Sequence, residues 1–257
     1  MAYMALEVID YQRLLERDNN EIKKLVSICS NAGLFFLDLR GKESKSLLAD
    51  LQPIIDAQRN FFGQKPEMKM PYASPLDGRG YDSFDEIFVQ RLKLSREEQV
   101  QGCLALPKDL QAVETKVNNV SSRIDAILRD ISMLLCQNLD PPIATKVVDN
   151  PSSTGLSNLC LGISAAKAGT PVMGEHLDED LLTLTFYDEP FLEVLDRQTQ
   201  TWKLVDVLEH LPIVNVGDRF QNFSDGRLHA PLHRVKQTSN QIDLIMYDLD
   251  ASVQQVC

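Results

Sequence analysis

The sequence predicts an α+β protein in which helices pack around a closed β structure. Three observations predict it. Helical spacing of apolar residues is concentrated before residue 140, the pattern changes to short strand-like runs from Leu159 onward, and no internal repeat or low-complexity segment interrupts either part. The expected organisation is a helical and strand region over residues 1–150 packed on a β core over residues 151–257, as one structural unit.

The elements follow in order. Leu6–Asp10 reads as a short strand. Asp18 caps a helix, with Glu21 three residues on as a capping box. Ile22, Leu25, Val26 and Cys29 form its apolar stripe, and Gly33 ends it. Leu34–Leu39 is a buried strand by its aromatic and branched content. A helix runs from about Glu43 to Phe62, with Pro53 as a kink or break and Gly63 as the stop. Residues 64–84 are loop-rich, and Glu86–Leu94 alternates like a strand. Pro107 to Leu139 is one amphipathic helical stretch closed by Pro141-Pro142. Short strands are then expected at 159–164, 181–187, 191–195, 201–205, 213–216, 228–236 and 241–248.

Composition narrows the function. The chain has 257 residues, 44% of them hydrophobic, which is ample for a core. A net charge of −11 argues against nucleic acid and against anionic membrane surfaces, both of which need a basic patch. No apolar run is long enough to span a bilayer, and the first residues lack the pattern of a signal peptide. The five cysteines are scattered, with no CxxC, as expected of reduced thiols in a cytoplasmic protein. Cys257 follows no prenylation box.

His176, Asp178 and His233 carry the chemistry. Two imidazoles and one carboxylate on one face of a metal form the facial triad of non-heme Fe(II) oxygenases, with positions left open for O2 and substrate. On a strand, residues two apart share a face, so His176 and Asp178 are expected to point the same way. Pro231 argues against a helix before His233, which places that residue on extended chain too. The bland alternatives are an acidic surface turn for His176-x-Asp178 and a core or capping role for His233. His229 is the rival third ligand, and His210 reads as a surface loop residue.

The residues around this set resemble the isopenicillin N synthase-like branch of the 2-oxoglutarate/Fe(II)-dependent dioxygenases. The resemblance is carried by His176-Leu177-Asp178, Leu182-Thr183-Leu184-Thr185, Leu192-Glu193-Val194, Trp202-Lys203-Leu204-Val205, Asn215-Val216-Gly217-Asp218, Ser224-Asp225-Gly226-Arg227 and His233-Arg234-Val235, in matching order and spacing. Ala32-Gly33-Leu34-Phe35-Phe36, Phe61-Phe62 with Lys65 and Lys69, and Gly80-Tyr81 are weaker N-terminal matches. The resemblance covers about residues 5–248. It implies a double-stranded β-helix (jelly roll) with flanking helices, and Fe(II) at His176, Asp178 and His233. The activity it implies is hydroxylation, desaturation or ring closure of a small metabolite with O2. The chain stops soon after its last strand, so the site is expected to be more open than in many relatives, or closed by a partner subunit.

One departure bears on the cosubstrate. The family places Arg-x-Ser on the strand after the second histidine, where the arginine grips the distal carboxylate of 2-oxoglutarate, or a substrate carboxylate in relatives without the cosubstrate. Here the strand reads Ile242-Asp243-Leu244-Ile245, with neither residue, and the Tyr that relatives offer on the strand of Leu159–Ser164 is absent too. Use of 2-oxoglutarate is therefore open. The substrate supplies all the electrons, or another basic residue holds the cosubstrate, or catalysis is lost. Candidate cofactor-binding residues are Arg79, Arg91, Arg227 and Asp243, the last for a substrate ammonium if it faces the pocket, with Lys167 and Arg234 as further basic candidates. Tyr81, Phe88 and Phe186 are candidate pocket-lining residues. Rival classes are a zinc hydrolase on the same ligands, with Glu175 as base, and a binding module that keeps the fold.

Overall fold

The structure is a computed structural model, which describes residues 2–74, 76, 78–84, 89–144, 154–164, 173–236 and 240–250. The first part holds β1 (Tyr3–Met4), β2 (Val8–Asp10), α1 (Tyr11–Leu15), α2 (Asn19–Asn31), β3 (Leu34–Asp38) and α3 (Lys45–Phe62). Next come α4 (Pro66–Lys69), a 3-10 turn at Met70–Tyr72, β4 (Gly80–Phe84), β5 (Val89–Ser95), α5 (Arg96–Gln101), α6 (Lys108–Gln111) and α7 (Glu114–Asn138). The second part holds β6 (Asn158–Ser164), β7 (Met173–His176), β8 (Leu182–Tyr187), β9 (Leu192–Asp196), β10 (Thr201–Val205), β11 (Ile213–Val216), α8 (Asp218–Phe223), β12 (His233–Val235) and β13 (Ile242–Leu249).

These strands form two sheets. The larger runs β2-β3-β11-β8-β13-β6-β5-β4 and the smaller runs β1-β10-β9-β12-β7. Four strands of the N-terminal part (β2 to β5) thus extend the sheet of the C-terminal part. Strand alternation gives the large sheet two different faces. Leu92, Leu94, Leu161, Leu184, Val214, Ile245 and Tyr247 point one way, into a core shared with α2, α3 and α7. Arg91, Lys93, Thr185, Ile213, Leu244 and Met246 point the other way, into a cavity that the small sheet also lines.

The helices hold to their sequence signals with three exceptions, one being that the stretch 107–139 is not one helix but α6 and α7 with a turn at residues 112–113 between them. Asp18 caps α2 by accepting from the Asn20 and Glu21 amides. Glu21 does not close the capping box; its carboxylate takes the Asp10 amide at 3.0 Å and pairs with Arg13 at 2.9 Å. Pro53 lies inside α3 and does not break it, because packing of Leu47, Leu51, Ile54, Phe61 and Phe62 outweighs one lost hydrogen bond. In α7, Asp125 is buried and satisfied by Arg129 and the Tyr247 hydroxyl of β13, each at 2.8 Å. Cys29, Cys136 and Cys160 are buried free thiols and Cys103 is exposed. Among the described residues, no helix is long and apolar enough to cross a membrane.

The strand pattern differs from expectation in several places: β4 (Gly80–Phe84) forms within the stretch read as loop-rich, and β7 (Met173–His176) lies outside the expected strands. Residues 228–232 are irregular and only His233–Val235 pair, since Pro231 cannot donate to a ladder. The Asn215-x-Gly217-Asp218 turn leads into a short helix, α8, that the residue pattern alone did not announce.

Candidate active site

His233 opens β12 and His176 ends β7, and the two are direct cross-strand partners. Their ring centroids lie 4.2 Å apart. Asp178 falls two residues beyond the end of β7, so strand parity is not what aligns it with His176. The turn between β7 and β8 does that, and its backbone is fixed from β11. The Asp218 amide donates to the Asp178 carbonyl at 2.7 Å, and the Gly217 amide donates to the Leu181 carbonyl at 2.9 Å. A Cβ at Gly217 would lie 2.0 Å from the Asp180 carbonyl oxygen, so only glycine permits this approach. Gly33 plays the same part for the other ligand. Its φ is +72°, and a Cβ there would meet the His229 carbonyl oxygen at 1.9 Å, under the segment that leads to His233.

Each imidazole is oriented by its own chain. His176 Nδ1 lies 2.8 Å from the Gly174 carbonyl oxygen, and His233 Nδ1 lies 3.0 Å from that of Pro231. Protons donated there leave both Nε2 lone pairs free. The two Nε2 atoms lie 3.7 and 3.4 Å from Asp178 Oδ1. One ligand atom from each of the three residues falls within 4.8 Å of the others. Asp178 Oδ2 accepts from Asn215 Nδ2 at 2.8 Å, which fixes the carboxylate plane. Burial works against ionising Asp178, but the His233 ring and the Asn215 amide outweigh it and hold its carboxyl at about 2. Burial likewise lowers His233, and the Asp178 carboxylate more than reverses it, leaving the ring above its ordinary value. Two neutral imidazoles and a carboxylate on one side of an open cavity fit a divalent iron and leave its other positions accessible.

The cavity is about 600 Å³. Tyr187, Phe191, Leu192, Ile213 and Val235 make its walls apolar, and Glu175 and Glu179 stand on its lining near His176. Asp180 and Asp248 also line it. Burial, then the neighbouring carboxylates Asp248 and Asp178, push Asp180 up to about 8. Burial, then Asp178, push Asp248 up to about 6.

Of the sequence candidates for the cofactor among the described residues, Arg91 alone lines the cavity. Its guanidinium is held by Asp82 through Nε at 3.0 Å and Nη2 at 2.8 Å. Asp243 does not face the pocket, a correction to its candidacy. It sits on the helix side of β13, buried, with Arg59 Nε at 2.8 Å and Gln58 at 3.4 Å. Ile242 and Leu244 are the residues of that strand end that face the cavity. Arg79 is likewise elsewhere, paired with Glu97 and Glu98, and Arg227 binds the carbonyls of Ser224 and Pro141. Arg234 pairs with Glu193 and stacks on Trp202. Lys167 and Phe88 lie outside the described residues. Tyr81 packs in the helix-side core against Phe61, and Phe186 packs against that core, so neither lines the cavity. His229 donates its amide to the Cys29 carbonyl and contributes no metal ligand, and His210 is an exposed turn residue. Sequence reasoning missed Lys93, Asp248, Tyr187 and Phe191. The alternation of Leu92 and Leu94 with Arg91 and Lys93 in β5 was the signal for the first.

Comparison with known proteins fits this geometry. The profile described as the 2OG-Fe(II) oxygenase superfamily matches residues 160–243. The chain is 28% identical over 246 residues to the 2-oxoglutarate-dependent dioxygenase frbH of a Dothideomycetidae species, covering 90% of this chain and 75% of the relative. Both likenesses are to the 2OG-Fe(II) oxygenase superfamily. The similarity supports a non-heme iron dioxygenase with the jelly-roll fold, and that superfamily implies Fe(II) and usually 2-oxoglutarate. A second relative, the oxidoreductase vrtI of Penicillium aethiopicum, is 26% identical, with 91% of this chain matching 60% of that protein. Among solved structures, the rice dioxygenase for auxin oxidation superposes with a TM-score of 0.77 at 23% identity, over 95% of this chain and 83% of that one. The dioxygenase for auxin oxidation 1 of Arabidopsis thaliana, solved as a complex with 2-oxoglutarate, superposes with a TM-score of 0.75 at 22% identity, over 98% and 94%. These last two are likenesses of fold.

Proposed function

We propose that this enzyme holds Fe(II) through His176, Asp178 and His233, and uses a 2-oxo acid cosubstrate to hydroxylate, desaturate or cyclise a small, mostly apolar molecule. The observation that carries the reading is the convergence of both Nε2 atoms on Asp178 Oδ1 at the wall of an apolar cavity. Names of relatives that specify 2-oxoglutarate favour a relocated carboxylate anchor over a lost cosubstrate.

Bound iron with the 2-oxo acid supplies the oxidising equivalents from O2; the protein's part is binding, orientation and a dry site. Gly174 and Pro231 carbonyls keep the imidazoles in the tautomer that a cation needs. Asn215 keeps one carboxylate oxygen of Asp178 occupied, so Oδ1 is the atom offered to the metal. Tyr187, Phe191 and Leu192 exclude water from the place where a substrate would lie, and a cavity of about 600 Å³ suits a small organic molecule.

Anaerobic titration of metal-free protein with Fe(II), with and without 2-oxoglutarate, tests the reading. A saturable visible charge-transfer band that needs both is the expected result. Tight iron binding with no band would point to an oxidase that takes its electrons from the substrate, and absence of iron binding would remove the metal assignment.

A further inference from the structure

We propose that Lys93 of β5 binds the distal carboxylate of the 2-oxo acid cosubstrate, two strands across the cavity floor from β13, the strand where the superfamily's arginine would stand. The inference rests on the reading of the site as 2-oxo-acid-dependent.

The floor of the cavity is a set of cross-strand rows. At the metal end, Asp248 of β13 is flanked by Asn158 of β6 and Thr183 of β8, and Thr183 is paired with Asn215, the residue that holds Asp178. One row along, Met246 is flanked by Cys160 and Thr185, and Cys160 pairs with Lys93. A row in a strand is two residues, or about 7 Å. That is close to the length of a five-carbon dicarboxylate laid from the metal along the floor. The remaining floor is Leu244 and Ile242, with Gly162 and Ser164 beside them. Those side chains give a carboxylate no cation.

Cations on the cavity lining are therefore few. Among the described residues it carries two, Arg91 and Lys93. Arg91 is turned towards β4 by its two-pronged pair with Asp82. Lys93 is half-buried, and no carboxylate among the described residues lies within ion-pair distance of it. Its ammonium is nonetheless felt at the metal end, where it counters the rise of Asp248 that burial and Asp178 cause. A flexible four-carbon stem lets a lysine deliver a point charge to a carboxylate without the fixed fork of an arginine. Charge balance for Asp248 alone would not discriminate between ligands, whereas a carboxylate anchor would.

The test uses that discrimination. Fe(II)-loaded parent protein and Lys93→Met are titrated anaerobically with 2-oxoglutarate and with 2-oxopentanoate, which has the same chain and no distal carboxylate. The charge-transfer band is read, and iron content is measured as the check on folding. The parent is expected to bind 2-oxoglutarate about 10–100-fold more tightly than 2-oxopentanoate, the range of a charge-assisted contact. Lys93→Met should bring the two acids close to parity by weakening 2-oxoglutarate alone, and Lys93→Arg should restore most of the preference. A variant that loads iron and keeps the parent's preference overturns the role of Lys93 and leaves the cosubstrate intact. No band with either acid in the parent overturns the cosubstrate reading, and the inference with it.

Discussion

The two ends of the cavity are built by different rules. At the metal end the imidazoles are held by neighbours close in sequence, His176 by Gly174 and His233 by Pro231, and Asp178 is held by the single compact turn Asn215–Asp218. At the far end the determinants come from strands far apart in the chain. Ile242 and Leu244 face in, Asp243 faces out, and the available charge arrives on β5. β13 runs through both, with Asp248 at one end and Ile242 at the other. A metal site tolerates little variation, because ligand type and direction are set by the ion. A carboxylate asks only for a cation within reach, so its partner can move to another strand while the fold stays unchanged.

The largest expected effect comes from breaking the metal end. His176→Ala or His233→Ala removes one of the three proposed ligands, and the predicted result is loss of stoichiometric Fe(II) binding, measured by metal analysis after anaerobic loading. His229→Ala is the control and should load as the parent does, since His229 offers no ligand to the cluster. Full iron content in His233→Ala would return His229 to candidacy. The partly exposed His176 and the buried His233 also separate. The second variant should lose stability as well, through a small cavity, and the first should lose metal alone.

This contrast explains what was legible in the sequence. His176-x-Asp178, Asn215-x-Gly217-Asp218 and His233 were readable because each is a short local pattern whose parts act together in one turn or strand end. The pattern of helices followed by strands was readable because burial on one face leaves a period of 3.6 or 2. The direction in which β13 turns Asp243 was not readable. Ile242, Leu244 and Met246 are as apolar as a core face, and Asp243 looks like a pocket or solvent residue until Arg59 of α3 is found behind it. The same ambiguity put Phe186 in the place of Tyr187, and made Tyr81 a pocket residue. On β13 the cavity face is the one an apolar pattern would assign to the core, whereas on β8 Leu182, Leu184 and Phe186 do face the core and Thr185 and Tyr187 face the cavity.

A smaller effect is expected behind the far end. Arg59→Ala leaves the Asp243 carboxylate buried, with Gln58 as its remaining side-chain donor among the described residues and the Asp188 carboxylate nearby. Stranding a buried charge costs several kcal/mol, and the half-exposed guanidinium admits water that reduces the penalty, so about 2–3 kcal/mol is expected by denaturant unfolding. Affinity for 2-oxo acids in the surviving folded protein should be unchanged. A selective loss of 2-oxoglutarate affinity would mean that Arg59 reaches around the strand and that Lys93 is the wrong cation.

The smallest effect, and the one that separates the two ends along a single strand, is the pH dependence of Asp248. Burial and then the Asp178 charge push its carboxyl up to about 6, above an unfolded value of about 3.9. A carboxyl raised in the folded state contributes its stability in full below the unfolded value, and that contribution is lost as pH rises through the folded one. Metal-free parent protein should therefore weaken between about pH 4 and pH 7 at this site, with Asp180 extending the loss upward because it is raised in the same direction. Asp248→Asn removes the ionisation and keeps an acceptor for the Asn158 amide, 3.2 Å away. The variant should match the parent near about pH 4.5 and exceed it by roughly 1–2 kcal/mol near about pH 8, a few degrees in melting temperature for a chain of this size. An equal difference at both pH values would show that Asp248 does not titrate in this range, and that the cations of β5 already balance it without any bound acid.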